Sequence, residues 1–351
     1  MGLKLKLTIF AIIILTIIII LIRPYYIFVT KDLHISPLKT LFSFDGLKSY
    51  NKHVNILFLG IAGVDREGPN LSDSIIVLSY DLKANRLTTI SIPRDVWSAT
   101  LQDKINSAYA YGLGKNGKFT DGFNLAKAEV STIIGQPVHY AVAADFDQFE
   151  ELINYLGGVE VNVENSFTDK EFPIAGKEDD LCDDDPEFKC RYKTVSFTKG
   201  VTLMDGQTAL NFVRSRHAVG SEGSDFAREK RQQKVIEAVK NKLFALVKKP
   251  DVENYKKLYE LLDKLVRRDI NNQQTAILLK DIVLKKNFRQ DKILLSQDFF
   301  INPTDDLYRY NGLWVLVPVN DDITIIHNYI DCRLSQKTDC DGLKPKREED
   351  D

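Results

Sequence analysis

Residues 71–95 read LSDSIIVLSYDLKANRLTTISIPRD. Two short runs rich in β-branched residues, Ser74–Tyr80 and Leu87–Ile92, flank the polar tripeptide Lys83-Ala84-Asn85, which predicts a β-hairpin. A third such run, Val54–Ile61, precedes it. Helical periodicity follows at Asn124–Ile134 and Phe146–Leu156, where Gly157 and Gly158 stop the second helix before a strand at Val159–Val163. Further helices are predicted at Met204–Arg214 and Asp225–Val247. This alternation predicts a three-layer α/β sandwich, with a central mixed sheet and helices on both faces.

A hairpin turning on residues 83–85 sets Asp73 opposite Asp95. Facing carboxylates repel unless a cation lies between them, and two carboxylates completed by water and phosphate oxygens suit Mg2+. Alternatively, one of the two is a turn or capping residue. Arg94 stands next to Asp95 at the carboxyl end of a strand, where open α/β sheets bind ligands. On the helix beginning at Asp225, at about 100° per residue, Arg228, Arg231 and Gln232 share a sector of about 120° with Val235, Val239 and Leu243. A solvated charged face lies opposite the apolar stripe, so these arginines are expected to point inward and to need an anionic partner. Arg214 and Arg216 come just upstream, and guanidinium forks match phosphate oxygens. The bland alternative is a surface helix of ion pairs using Glu229, Lys230 and Lys234.

The first thirty residues differ in kind. Leu7–Ile22 is unbroken apolar sequence apart from threonine, about 24 Å long as a helix, and Leu3–Val29 spans about 40 Å. Lys4 and Lys6 precede it, Tyr25, Tyr26 and Phe28 follow, and no small-residue cleavage site is apparent. This predicts an uncleaved signal anchor in residues 1–30: a single-pass protein of the cell membrane with its catalytic domain extracellular. Residues 31–50 read as a spacer, 51–249 as the catalytic domain, 251–340 as a small appended C-terminal region with two helices and a strand at Leu313–Val317, and 341–351 as a disordered tail. Four cysteines allow three connectivities; in an external compartment the expectation is two local disulfides, Cys182 with Cys190 and Cys332 with Cys340. The carboxylates between Glu178 and Glu187 lack EF-hand spacing and read as a solvated loop. With 47 basic and 49 acidic residues, no charge excess or basic recognition helix points to nucleic acid. The histidines and cysteines lack the spacing of a zinc or thiol centre.

Seven stretches, NILFLGIAG, LSDSIIVLS, SIPRD, KINSAYAYG, DFDQFEELINYLGGVEV, KGVTLMDGQTALNFVRSR and DFAREKRQQ, together resemble the LytR-CpsA-Psr family of bacterial cell-envelope proteins, in the family's order. The resemblance implies a phosphotransferase dependent on Mg2+ (or Mn2+) that moves a glycopolymer from a polyprenyl pyrophosphate carrier to a peptidoglycan hydroxyl. It makes Asp73 and Asp95 metal-associated acids and Arg94, Arg214, Arg216, Arg228 and Arg231 pyrophosphate contacts, with Arg94, Asp95 and Arg228 closest to the chemistry. Lys104, Asp225 and Gln232 match supporting positions. Many members carry arginine where this chain has Leu71. The partners implied are the lipid-linked glycan, the peptidoglycan acceptor and membrane lipid, with the lipid tail expected in a channel around Phe123, Phe146, Phe149 and Leu152, residues that at such spacing also read as plain core. The alternatives are a pyrophosphatase using water as acceptor and a non-catalytic binder of anionic glycans or lipids.

Overall fold

The computed structural model describes the chain except residues 1, 43–45, 62–69, 115, 175, 178, 286, 296–297 and 346–351. Some side chains within helices, Phe146 and Asp225 among them, also lie outside the described set. The strands are β1 (His53–Ile61), β2 (Ser72–Asp81), β3 (Arg86–Ile92), β4 (Trp97–Ser98), β5 (Asp103–Lys104), β6 (Tyr140–Asp145), β7 (Val159–Val163), β8 (Phe167–Pro173), β9 (Tyr192–Phe197), β10 (Gly200–Met204), β11 (Arg267–Arg268), β12 (Arg289–Leu294), β13 (Phe300–Ile301) and β14 (Val317–Pro318). The helices are α1 (Leu3–Ile27), α2 (Pro37–Phe42), α3 (Ala108–Leu113), α4 (Phe119–Ile134), α5 (Phe146–Tyr155), α6 (Gly206–Arg214), α7 (Asp225–Val247), α8 (Val252–Leu265), α9 (Asn272–Leu284) and α10 (Thr324–Leu334).

The central mixed sheet runs β11-β6-β1-β2-β3-β12. Alternation along its strands separates two apolar faces. Leu57, Leu59, Ile75, Val77 and Ile90 pack under α3, α4 and α10 through Tyr109, Phe123, Val130, Ile134, Ile326 and Ile330. Val54 and Tyr140 point the other way, packing with Ile270 and the partly buried Ile56 and Val142. On that side the Tyr80 hydroxyl donates to Asp281 of α9 at 2.9 Å. Both edge strands, β11 and β12, come from beyond Pro250, so the region after the long helix α7 completes this sheet. The strand expected at Leu313–Val317 contracts to β14 and a single bridge from Leu316 to Val96. A second core lies where α5, α6 and α7 meet β7–β10, around Ile153, Val161, Phe167, Phe197, Phe212 and Val235.

The hairpin register differs from the expected one by a residue. Asp81 Oδ1 accepts from the N–H groups of Lys83 (2.7 Å) and Ala84 (2.9 Å), and Asn85 takes a left-handed conformation with φ 51°. This side-chain turn places Leu82 in the loop as well, and the innermost pair is Asp81 with Arg86. The ladder reaches Ile75 opposite Ile92, so continuing it by two residues brings Arg94, not Asp95, across from Asp73. On its other side β2 shifts register against β1 between Gly60 and Ile61: Ser74 and Ser72 are paired and Asp73 is the residue left over. Such an irregularity re-aims a side chain at a sheet end.

Both disulfides have the local pairing, Cys182–Cys190 and Cys332–Cys340. Leu7–Asp32 is, among the described residues, the one helix long and apolar enough to cross a membrane.

Candidate active site

At the carboxyl end of β3 the chain turns after Pro93 and presents Arg94 and Asp95. The loop is stitched in place by main-chain bonds: Asn106 N–H donates to Arg94 O (3.2 Å), and Leu316 N–H to Asp95 O (2.9 Å). Arg94 Nη1 lies 2.6 Å from Asp73 Oδ1 and its Nε 3.4 Å from Asp95 Oδ2. Lys104 of β5 reaches Asp95 Oδ1 at 2.8 Å, and its ammonium sits 5.9 Å from the Trp314 ring centre. Burial alone lowers the Arg94 guanidinium, but Asp73, and then Asp95, more than offset this and hold it above its ordinary value. The two acids thus lie close together, yet with a shared arginine between them. The cation next to Asp73 is supplied by Arg94, while Leu71 is partly exposed.

Hard oxygen donors are what a divalent ion requires. Asp73 and Asp95 are chemically suited to be two ligands of such an ion, because one guanidinium already reaches both carboxylates. The only cluster of three possible ligands among the described residues, Asp180 with Cys182 and Cys190, is unsuitable because both sulfurs are in a disulfide. Asp180 and Asp185 instead accept main-chain N–H groups within their loop.

A second constellation surrounds the α6–α7 connection. Ser224 caps α7, accepting from Ala227 N–H at 3.2 Å. Arg231 does point inward, as its helical position requires, but its side chain is only 4% exposed and its donors are engaged. Nε donates to Phe212 O (2.9 Å), Nη1 to Glu222 O (2.8 Å) and Oε2 (3.1 Å), and Nη2 to Ser215 O (2.6 Å). The guanidinium carbon also lies 4.8 Å from the Phe167 ring centre. In this arrangement Arg231 belongs to the frame of the loop, its donors meeting Phe212, Ser215 and Glu222.

The same loop is held from its other side by Asp169 of β8, a residue the sequence reading did not single out. Fully buried, Asp169 accepts from the Ser215 hydroxyl (2.6 Å) and the N–H groups of Arg216 (3.1 Å), His217 (3.2 Å) and Glu171 (3.0 Å). Burial raises its carboxyl, but the bonds from Ser215, His217, Glu171 and Arg216 prevail and hold it below the usual carboxylate value. The available signal was strand parity: Asp169 shares an inward face with Phe167. Between these clamps, Arg214 is half-buried, 5.7 Å from the Phe172 ring centre, and Arg216 is exposed. Arg228 is half-buried one turn before Arg231, and Gln232 is exposed. The Asp225 side chain lies outside the described residues.

A cleft of about 220 Å³ opens beside Arg231, lined also by Glu164, Lys230 and Lys234. Its lysines are paired with Glu164 at 2.9 and 2.8 Å, and Lys234 and Lys230 push that carboxyl down to about 2. Of the residues read either as lipid channel or as plain core, Phe123 is fully buried in the main cluster, while Phe149 and Leu152 are partly buried and pack against the second. Phe146 lies outside the described side chains.

This α/β domain, with an acid–arginine cluster at one end of its central sheet, carries the LytR_cpsA_psr family match over residues 31–316, and the chain belongs to that family. It is 28% identical over 270 residues to the polyisoprenyl-teichoic acid–peptidoglycan teichoic acid transferase TagU of Bacillus mycoides, covering 76% of this chain and 74% of that one. The Enterococcus faecalis TagU is 27% identical over 223 residues, covering 62% and 61%. The crystal structure of TagV from Bacillus subtilis aligns with a TM-score of 0.50 at 24% identity, covering 82% of this chain and 99% of TagV. A Streptococcus agalactiae protein aligns at 0.52 and 23% identity, covering 85% and 90%. These structural likenesses concern the fold.

Proposed function

We propose that this protein is a transferase that moves a glycopolymer from a polyprenyl pyrophosphate carrier to a peptidoglycan hydroxyl, on the outer side of the cell membrane and with Mg2+ or Mn2+. The observation that carries the reading is the cluster of Asp73, Arg94, Asp95 and Lys104 at the carboxyl end of β3: four charges held within 2.6–3.4 Å of one another in pairs, yet partly open to solvent. The Bacillus mycoides relative is a polyisoprenyl-teichoic acid–peptidoglycan teichoic acid transferase, which supports glycopolymer transfer to peptidoglycan. Two disulfides favour an oxidising compartment, and α1 supplies the membrane anchor.

In this reading Arg94 and Lys104 swing from their carboxylates to pyrophosphate oxygens, and Arg214, Arg216 and Arg228 neutralise charge on the remainder of the donor. Asp73 and Asp95 would hold the divalent ion, which when bound supplies charge neutralisation on the phosphate oxygens. Phosphoryl transfer asks mainly for positioning and electrostatics, so the work of these residues is to orient the donor and stabilise the charge passing to the leaving phosphate. A lipid tail has a matching surface in Phe58, Ile76 and Val142, half-buried neighbours on one sheet face that leads through Gly60 and Ser74 towards Asp73.

The test is turnover of a polyprenyl pyrophosphate-linked glycan by the full-length protein with peptidoglycan present. Glycan coupled to peptidoglycan and polyprenyl phosphate released are expected, with Arg94→Ala reducing both by at least about tenfold. Release without coupling would make the protein a pyrophosphatase. Unchanged turnover in chelator would remove the metal from the proposal.

A further inference from the structure

We infer that α2 lies on the bilayer surface and seats the domain at a fixed height above it. The anchor does not end in a free linker. After Ile27 it continues as a wider π turn over Phe28–Asp32, and that turn is fastened to α8. Tyr25 lies against Tyr255 with the rings tilted (centres 6.4 Å apart), Phe28 meets Tyr259 edge-on (6.5 Å), and Lys256 Nζ lies 3.5 Å from Asp32 Oδ1. Only residues 33–36 separate this turn from α2, a span of at most about 18 Å in extended chain. Here α9 takes over the fastening. Asn272 Nδ2 donates to Leu33 O (2.9 Å), Ser36 N–H donates to Gln273 Oε1 (2.7 Å), and Gln273 Nε2 donates to Thr40 Oγ1 (2.9 Å).

With its polar side tied to α9, α2 turns Leu38, Leu41 and Phe42 outward, 70%, 57% and 79% exposed. Their spacing places all three on one helical face, immediately after a helix suited to cross a membrane. Water is a poor neighbour for such a face, whereas the boundary between headgroups and acyl chains accepts it. Lys31 and Lys39 are exposed on either side of this junction and match anionic headgroups. Among occupants of this face, the bilayer is favoured by continuity with α1. The inference rests on the reading of α1 as a membrane anchor and goes beyond it, because an anchor alone leaves the domain's height and tilt open.

All four native cysteines are bonded, so a single new cysteine takes a nitroxide label cleanly. The full chain would carry Leu38→Cys or Phe42→Cys, in vesicles of phosphatidylglycerol and phosphatidylethanolamine, and collision with oxygen would be compared with collision with a water-soluble nickel chelate. Ile14→Cys, within α1, and Tyr308→Cys, 96% exposed on the domain, bracket the scale. The expected result is an oxygen-to-nickel ratio at positions 38 and 42 that lies between those of the two references, clearly above that of Tyr308→Cys and below that of Ile14→Cys, as an interfacial depth requires. A ratio equal to that of Tyr308→Cys, with Ile14→Cys in the bilayer, overturns the seating of α2 alone. Label–label broadening that rises with protein density would assign the face to a second copy and also overturn it. If Ile14→Cys itself is open to nickel, the anchor reading fails and the inference falls with it.

Discussion

Arg94 and Arg231 each lie within reach of a carboxylate, yet they occupy opposite physical situations. The Arg94 side chain is 42% exposed and pairs with two acids, Asp73 and Asp95. The Arg231 side chain is 4% exposed and spends its donors largely on the main-chain carbonyls of Phe212, Ser215 and Glu222. An exposed ion pair exchanges partners at little cost, so Arg94 is available to an incoming phosphate. A buried guanidinium that gives up such bonds leaves carbonyls unsatisfied, so Arg231 stays where it is. Arg231 and Asp169 are complementary halves of one clamp: the cation takes carbonyls of the 212–222 segment, the anion its N–H groups and the Ser215 hydroxyl. Arg214 and Arg216 are carried on the segment between them.

The comparison breaks most visibly at Arg231. Arg231→Ala is expected to destabilise the fold by about 3–5 kcal/mol, with Arg231→Lys a poor substitute because an ammonium cannot reproduce the planar fork. Denaturant unfolding of the two variants measures this. Wild-type stability with lost turnover would return Arg231 to the substrate.

Asp169 gives a smaller effect with a pH signature. Asp169→Asn is expected to cost about 1–3 kcal/mol, since its amide group cannot accept from all four donors. Because the folded carboxyl lies below its unfolded value, its contribution is fully present above about pH 4 and declines as pH falls through the lower folded value. Unfolding free energy measured between neutral and acidic pH should therefore slope less in Asp169→Asn than in the wild type. Parallel slopes would show that this carboxyl gains nothing from its bonds.

The smallest stability change is expected at Arg94. Arg94→Ala should alter unfolding free energy by no more than about 1 kcal/mol, in contrast to its large effect on turnover. A loss of stability matching that of Arg231→Ala would erase the distinction between the two arginines.

The helix-face argument identified which way Arg231 points, since direction follows from periodicity along one helix. Its partner was another matter, because Phe212 and Ser215 belong to α6 and the turn after it, and no local pattern tells a carbonyl from a phosphate. Asp169 went unnoticed for the same reason: its four donors are paired with it only once β8 lies beside the 215–217 segment.

Local patterns in the sequence were sufficient for the strands of the hairpin, the start of α7 and the apolar helix α1, and they favoured the two short-range disulfides among three connectivities, because each depends on neighbours a few residues apart. The ordered motifs were likewise sufficient for the family. Tertiary structure decided what depends on distant or three-dimensional partners: the edge strands from residues 267–268 and 289–294, the placement of Trp314 beside Lys104, and the bonding of Arg231. It also decided the hairpin register. There the physical cause is small: two hydrogen bonds to Asp81 Oδ1 draw Leu82 into the turn, and with a two-residue side-chain period that single step exchanges Asp95 for Arg94 across from Asp73.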